Sequence, residues 1–297
     1  MATQPDVPSL DVPLSALLRV PPGPVDLGSY DCAATTGYPG EKDGVDERMT
    51  ELGETLSQLQ ERLFANGRTY PDTAPAALLV LQGMDTSGKG GVLRHTVGMV
   101  DVQGLSVAAF KKPTPEELEH DFLWRIAKEV PEPGFLGTFD RSHYEDVLVS
   151  RVEQLAPPEE IEQRYDEINA FEAGLVARGI VVIKCFLHMS YAEQGQRLME
   201  RLERPDKHWK YNPGDVEARQ KWPAYQDAYT VALERCNTVA APWFVIPSDK
   251  KWYRNWAVAQ LLAEHLQGLN LDWPAGDFDV QAEKERLSRT FETPARK

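Results

Sequence analysis

The stretch GMDTSGKGG, Gly83 to Gly91, spaces its glycines and lysine as a loop that wraps phosphate must. Its G-x-x-x-x-G-K core is the Walker A pattern: backbone N–H groups curl around phosphate oxygens, aided by the start of a helix, while Lys89 supplies a point charge. Gly83, Gly88, Gly90 and Gly91 are the candidate cradle positions. Two departures are informative. Gly90 stands where a Ser or Thr usually offers magnesium a hydroxyl, so something else must hold the metal. Asp85 places a carboxylate inside a loop meant for anions, where unscreened repulsion would reach several kcal/mol, on the order of 332/(εr) with ε about 20. A cation bridging Asp85 and the phosphates removes the conflict, so Asp85 is a candidate ligand of Mg2+, or of Mn2+ in its place. Capping the turn is the plainer role open to it.

A second acidic cluster follows in GFLGTFD and RSHYEDVLV. Asp140 ends an apolar run, the position from which a strand-end acid reaches a metal, and Arg141 beside it has a rigid fork suited to phosphate oxygens. If Ser142 opens a helix, Glu145 lies in its first turn, with Asp146 next to it. From there Glu145 points toward the same metal or closes a capping box with Ser142, and the pattern leaves both open.

Basic residues gather in an otherwise acidic chain. RLERPDKHWK brings Arg201, Arg204, Lys207 and Lys210 against Glu203 and Asp206, and Pro205, Pro213 and Gly214 flank it as a mobile connection would. Such a segment suits a lid over phosphates, or else a solvated helix end. Lys111, Lys112, Arg125, Lys128 and Arg151 are further candidates for a phosphate groove; the spacing of Arg125 and Lys128 lets them share a helix face. Tryptophans 209, 222, 243, 252 and 256 are expected to pack in the core.

The elements around these residues alternate. Strands are expected at ALLVLQG from Ala77, LSVAAF from Leu105, GFLGTFD from Gly134, IVVIKCFLH from Ile180 and WFVIP from Trp243. Helices are expected over Leu52 to Asn66, Val92 to Val100, Ser142 to Arg151, Pro158 to Arg178, after the N-cap Ser190, over Asp215 to Cys236, and over Trp252 to Leu266. Continuous apolar strands between helices mean a parallel sheet covered on both faces, an α/β fold. Residues 1–50, rich in Pro, Gly and Asp, read as an irregular arm; 51–270 as the main domain, with a lid at about 201–214; and 271–297 as a polar tail.

A net charge of −14 over 297 residues argues against a nucleic-acid-binding protein but does not exclude a polyanionic substrate met by locally concentrated basic residues. Three cysteines without paired spacing and six histidines without ligand spacing suggest neither disulfides nor a zinc site. The start MATQPDVPSL lacks a basic and apolar leader, and no run is long enough to span a bilayer, so a cytoplasmic protein is expected. No N-K-x-D guanine motif is present.

GMDTSGKGG, FKKPTPEELEHDFLWR, FDRSHYEDVLV, PDKHWKYNPGD and APWFVIPSDKKWYRN, in this order, resemble the type-2 polyphosphate kinases from about Leu52 to Leu266. The resemblance implies a three-layer P-loop kinase fold of the thymidylate-kinase kind with a helical lid. It implies phosphoryl transfer between inorganic polyphosphate and nucleoside mono- or diphosphates, and homo-oligomers. Asp85, Lys89, Asp140 and Arg141 match the family's catalytic positions, Glu145 gains a functional acidic role, and 201–214 matches the lid. The SHYEDVLV wording is similar to the subgroup acting on both mono- and diphosphates, although that subgroup often carries Asn where this chain has Asp140, which leaves AMP against ADP open. An ATP-dependent nucleotide or small-molecule kinase and a non-catalytic sensing module are the other readings.

Overall fold

The structure is a computed structural model that describes residues 5, 7, 8 and 10–291. The leader expectation and the end of the expected tail fall largely outside those residues. Five strands form the sheet: β1 (Ala76–Gln82), β2 (Leu105–Ala109), β3 (Leu136–Asp140), β4 (Ile180–His188) and β5 (Trp243–Pro247), in the order β2-β3-β1-β4-β5 with every pair parallel. Around them run α1 (Leu14–Leu17), α2 (Val45–Thr69), α3 (Lys89–His95), α4 (Trp124–Ala127), α5 (Glu145–Val152), α6 (Pro158–Ala177), α7 (Tyr191–Glu203), α8 (Gly214–Gln220), α9 (Trp222–Arg235), α10 (Lys251–Gly268) and α11 (Val280–Ser288).

Alternation along β1 builds the two cores. Ala77, Leu79 and Leu81 enter the cluster made with α1, α2, α3 and α10, while Ala76, Leu78 and Val80 enter the one made with α5, α6 and α9. All seven residues of β1 are buried, as a central parallel strand requires. The chain leaves β1 toward β2 and β3 on one side and reaches β4 and β5 on the other. The carboxyl end of β1 is therefore the switch point where such sheets bind ligands.

Several boundaries differ from expectation for local reasons. The helix expected over Asp215 to Cys236 is two, because Lys221 leaves helical geometry and α9 restarts with a proline in its first turn. The helix expected to run from Val92 to Val100 ends at His95 and continues as a 3-10 turn over Val97–Met99. α2 begins at Val45, and the 271–291 stretch holds the exposed α11, capped by Asp279. The arm is irregular apart from α1 and one 3-10 turn. It bridges to β5, where Val20 N–H donates to the Trp243 carbonyl (2.9 Å) and Val245 N–H to the Leu18 carbonyl (3.0 Å).

Candidate active site

β1 and β3 lie side by side, with Leu81 opposite Asp140, so the glycine loop and the strand-end acid leave the sheet together. Lys89, the first residue of α3, is buried, and its Nζ donates to the Gly83 carbonyl (2.8 Å). Burial, then the nearby Arg141, lowers the Lys89 pKa, while Asp85, Asp140 and Glu145 pull it back up. Three acids read from two separate motifs thus act on one lysine.

Arg141 joins two of them. Its Nη2 meets Asp85 Oδ1 at 2.7 Å and its Nη1 meets Glu145 Oε2 at 2.9 Å. Burial alone would raise Asp85, but Arg141, Lys89 and Arg201 outweigh it and hold the carboxyl below its ordinary range. The repulsion expected from a carboxylate in the loop is therefore already answered by a guanidinium. Arg141 (φ 63°) and Thr86 (φ 69°) both sit in the left-handed region that non-glycine residues avoid, and both belong to the loops of this site. Ser142 does not open a capping box with Glu145: α5 starts at Glu145, and the Ser142 hydroxyl accepts from Tyr144 N–H (3.2 Å). The groups around buried Gln82 fit an amide that donates to Glu145 Oε1 (3.1 Å) and accepts from the Ser142 hydroxyl, which leaves Glu145 fixed toward Arg141.

A closed polar network braces this corner from below. Lys184 on β4 donates to Glu172 Oε2 (2.6 Å), Tyr144 OH (2.8 Å) and the Cys236 carbonyl (2.7 Å), and Tyr144 OH donates to Glu172 Oε1 (2.8 Å), with His143 Nε2 at 3.2 Å from the same oxygen. All four side chains are fully buried. Burial opposes ionisation of Glu172, but Lys184 and then His143 outweigh it and hold its pKa below the usual carboxylate range. His143 and Tyr144 follow Arg141 directly, so this network sets where Arg141 emerges.

The basic 201–214 segment reaches the site through Arg201, whose charge acts on Asp85 and whose Nη1 bonds Asp215 Oδ2 (3.1 Å) and the Lys210 carbonyl (3.0 Å). Sequence reasoning gave Asp215 no role beyond its place in PDKHWKYNPGD. Burial, then repulsion from Asp85, pushes its pKa up to about 6, against Arg201, Arg141 and Lys89. The folded protein therefore binds a proton at Asp215 between about pH 6 and 4 that the unfolded chain lacks, and the stability this brings is lost as pH rises through 6. Asp215→Asn is expected to melt above the wild type at pH 7.5 and by a clearly smaller margin at pH 5, in thermal scans at both values.

The other basic candidates are dispersed. Arg204 pairs with Glu200 and Asp206, Lys207 with Asp206, and Lys210 lies over the Trp209 ring. Arg151 faces Glu162 on α6 (3.0 Å). Lys111 and Lys112 are exposed, and the Lys111 carbonyl accepts from Arg125 (2.8 Å). Arg125 and Lys128 do not share a face: Arg125 is buried against Asp146 (3.2 Å), whereas Lys128 caps the four-residue α4 and lies over Trp124. Asp146 accordingly turns away from Glu145; burial raises its pKa, which Arg125 and Arg164 partly offset. Trp209 contradicts the packing expectation, standing 78% exposed on the 3-10 segment Pro205–Lys210 with its Nε1 donating to the Asp206 carbonyl. Trp243 and Trp256 are buried, and Trp222 and Trp252 half-buried.

Among the described residues no three His, Cys, Asp or Glu form a metal cage. Mg2+ commonly takes only one or two carboxylates and completes its shell with water and substrate phosphates. Asp85, Asp140 and Glu145, hard oxygen donors beside a phosphate loop, fit a divalent cation brought with its phosphates. A cavity of about 40 Å3 lies between Asp85, Arg141 and Glu145 and a wall of Leu148, Tyr225 and Tyr229. Among the described residues no helix is long and apolar enough to cross a membrane.

Comparison with known proteins bears on this arrangement. Residues 41–272 match the family Polyphosphate kinase 2 (PPK2). An AMP/ADP-polyphosphate phosphotransferase of Meiothermus ruber is 44% identical over 254 residues, covering 86% of this chain and 93% of that protein. An ADP-polyphosphate phosphotransferase of Rhodopseudomonas palustris is 37% identical over 262 residues, covering 84% and 88%. The crystal structure of polyphosphate kinase 2 from Arthrobacter aurescens TC1 superposes with a TM-score of 0.91 at 46% identity, over 95% of this chain and 99% of that one. Since the matched segment runs from α2 past α10 and carries the loop, the β3 acid and the Arg201–Asp215 pair, this chain belongs to the polyphosphate kinase 2 family.

Proposed function

We propose that this protein transfers phosphoryl groups between inorganic polyphosphate and nucleoside mono- or diphosphates, so that AMP and ADP become ADP and ATP. The observation that carries the reading is the meeting of Lys89 and Arg141 with Asp85, Asp140 and Glu145 at the ends of two adjacent parallel strands. Phosphoryl transfer needs charge stabilisation and alignment more than covalent chemistry, and this is a set of alternating charges beside a phosphate loop. The names of the Meiothermus and Rhodopseudomonas relatives support the donor and acceptors.

In this reading the glycine loop and Lys89 hold the phosphates of one substrate, and Arg141 neutralises charge growing on the transferred group. Asp85, Asp140 and Glu145 hold Mg2+, or Mn2+ in its place, which when bound screens the two polyanions from each other. A nucleotide phosphate is already an ionised nucleophile, so no tuned general base is needed. Residues 201–214 form the lid, with Arg201 its link to the site and the half-buried Lys207 and exposed Lys210 its approach to the polyphosphate. A reaction that draws on AMP, ADP and ATP suits the cytoplasm, in keeping with three free cysteines.

Incubating the purified protein with polyphosphate, Mg2+ and either AMP or ADP, then separating the nucleotides, tests the reading. New ADP and ATP are expected. Turnover with ATP as donor to another acceptor and none with polyphosphate would discard it.

A further inference from the structure

Two buried arginines lie against the glycine loop and take no part in the chemistry above. Arg197, on α7, donates to the carbonyls of Thr86 (2.9 Å), Ser87 (3.2 Å), Ser248 (2.6 Å) and Asp249 (2.9 Å). Its Nε meets Glu193 at 2.7 Å, so its charge has a carboxylate partner. Arg254 reaches the loop from α10 and is built differently. It donates to the Ser87 carbonyl (3.1 Å) and twice to the side-chain oxygen of Asn255 (2.9 and 3.3 Å), all neutral acceptors. No acid among the described residues forms an ion pair with it, though it is only 3% exposed.

The guanidinium fills space that the loop's glycines leave open. A Cβ on Gly88 (φ 111°) would stand 1.8 Å from Arg254 Nη1, and one on Gly91 2.4 Å from Nη2. Glycine at these positions therefore serves the approach of a cation as well as the turn. A guanidinium offers five N–H donors, and the three bonds just named leave two without a partner. The Ser87 hydroxyl, in the same loop, is also buried without a partner. A buried charge with no opposite charge is costly, and the cost shows: burial, then repulsion from Arg197, brings the Arg254 pKa down to about 9. A residue serving only to tie α10 to the loop would do so with less penalty as a neutral donor, or with an acid beside it as Arg197 has.

We infer that Arg254 is a positioning residue for phosphate binding: its uncompensated charge stands one layer beneath the loop and is balanced only when a phosphate chain lies in the cradle. Arg197 holds the Thr86 and Ser87 carbonyls turned outward beside it, so the face left to the ligand is made of N–H groups. The inference rests on the proposed function in taking the loop to hold phosphate.

The test separates ligand-free stability from ligand affinity. Inorganic triphosphate with Mg2+ is titrated calorimetrically into the full-length wild type and the Arg254→Met, Arg254→Gln and Arg254→Lys variants, and each is melted without ligand. The Met and Gln variants should bind triphosphate about 10- to 100-fold more weakly, while melting at or above the wild-type temperature. Lys should recover much of the affinity. Affinity within twofold of wild type in both Met and Gln variants overturns the inference. So does collapse of the ligand-free fold in both, because the guanidinium would then be a structural tie. No triphosphate binding by the wild type would instead strike the functional reading itself.

Discussion

Lys89→Ala should lower kcat about 10²–10³-fold, the usual loss when one donor to developing charge is removed from a preorganised site. Lys89 is buried, tethered to the Gly83 carbonyl, and sits in the combined field of Asp85, Asp140, Glu145 and Arg141. Its removal leaves three acids facing the phosphates, with Arg141 and the more distant Arg201 as the cations that act on them. The fold should survive, since among the described residues Lys89 makes one hydrogen bond and no ion pair, so circular dichroism and the melting temperature should change little. Lys89→Arg should not rescue the rate, because a planar fork does not fit a pocket shaped for a point charge. Asp140→Asn should be comparably slow but distinguishable: raising Mg2+ should recover part of its rate and none of that of Lys89→Ala. Near-normal turnover of either variant in a steady-state assay with polyphosphate would remove the assigned role.

Glu172→Ala carries the largest expected effect on stability. The carboxylate accepts from Lys184 and Tyr144, with His143 against the same oxygen, where no water reaches. Its loss strands Lys184 in a dry interior, and breaking a buried pair on one side typically costs about 3–5 kcal/mol. Urea unfolding should show that loss, with the midpoint falling at constant slope. Lys184→Met combined with Glu172→Leu should cost clearly less than the two single changes summed, because the pair is removed together. Additive losses in that cycle would mean that the two groups stabilise the fold separately. Residual activity of the double variant should fall through kcat more than KM, since the network fixes where Arg141 leaves β3 and makes no substrate contact.

What sequence could and could not reveal follows from how each residue type advertises itself. Five apolar runs announced the five strands: β1, β3, β4 and β5 are almost wholly buried and carry few polar positions, and the partly exposed edge strand β2 is still mostly apolar. The glycine loop and Asp140 were legible because their chemistry depends on local order along the chain. Arg197, Asp215, Glu172, Lys184 and Arg254 were not, for each is a charged residue on a helix or strand that looks like surface until tertiary contact buries it. One trace was available: on α7 the face that carries Leu198 also carries Gln194 and Arg197, polar residues where an apolar stripe should continue. Trp209 failed in the opposite sense, because an exposed aromatic on a short 3-10 segment leaves no mark of its own in composition. The capping role open to Glu145 closed only when α5 was found to begin at Glu145 itself, with the Ser142 hydroxyl taken by Tyr144 N–H.

The strand order sets a schedule for the growing chain. β1 is synthesised early, yet its neighbours are β3 and β4, the latter complete only at His188, and the Ser87–Arg254 contact spans 167 positions. Contacts so distant along the chain are slow to close, and nothing in the first half can close them alone. The loop is therefore among the first signatures to leave the ribosome and among the last parts to work. Nascent chains halted before α10 would carry the whole glycine motif and still lack the arginine beneath it.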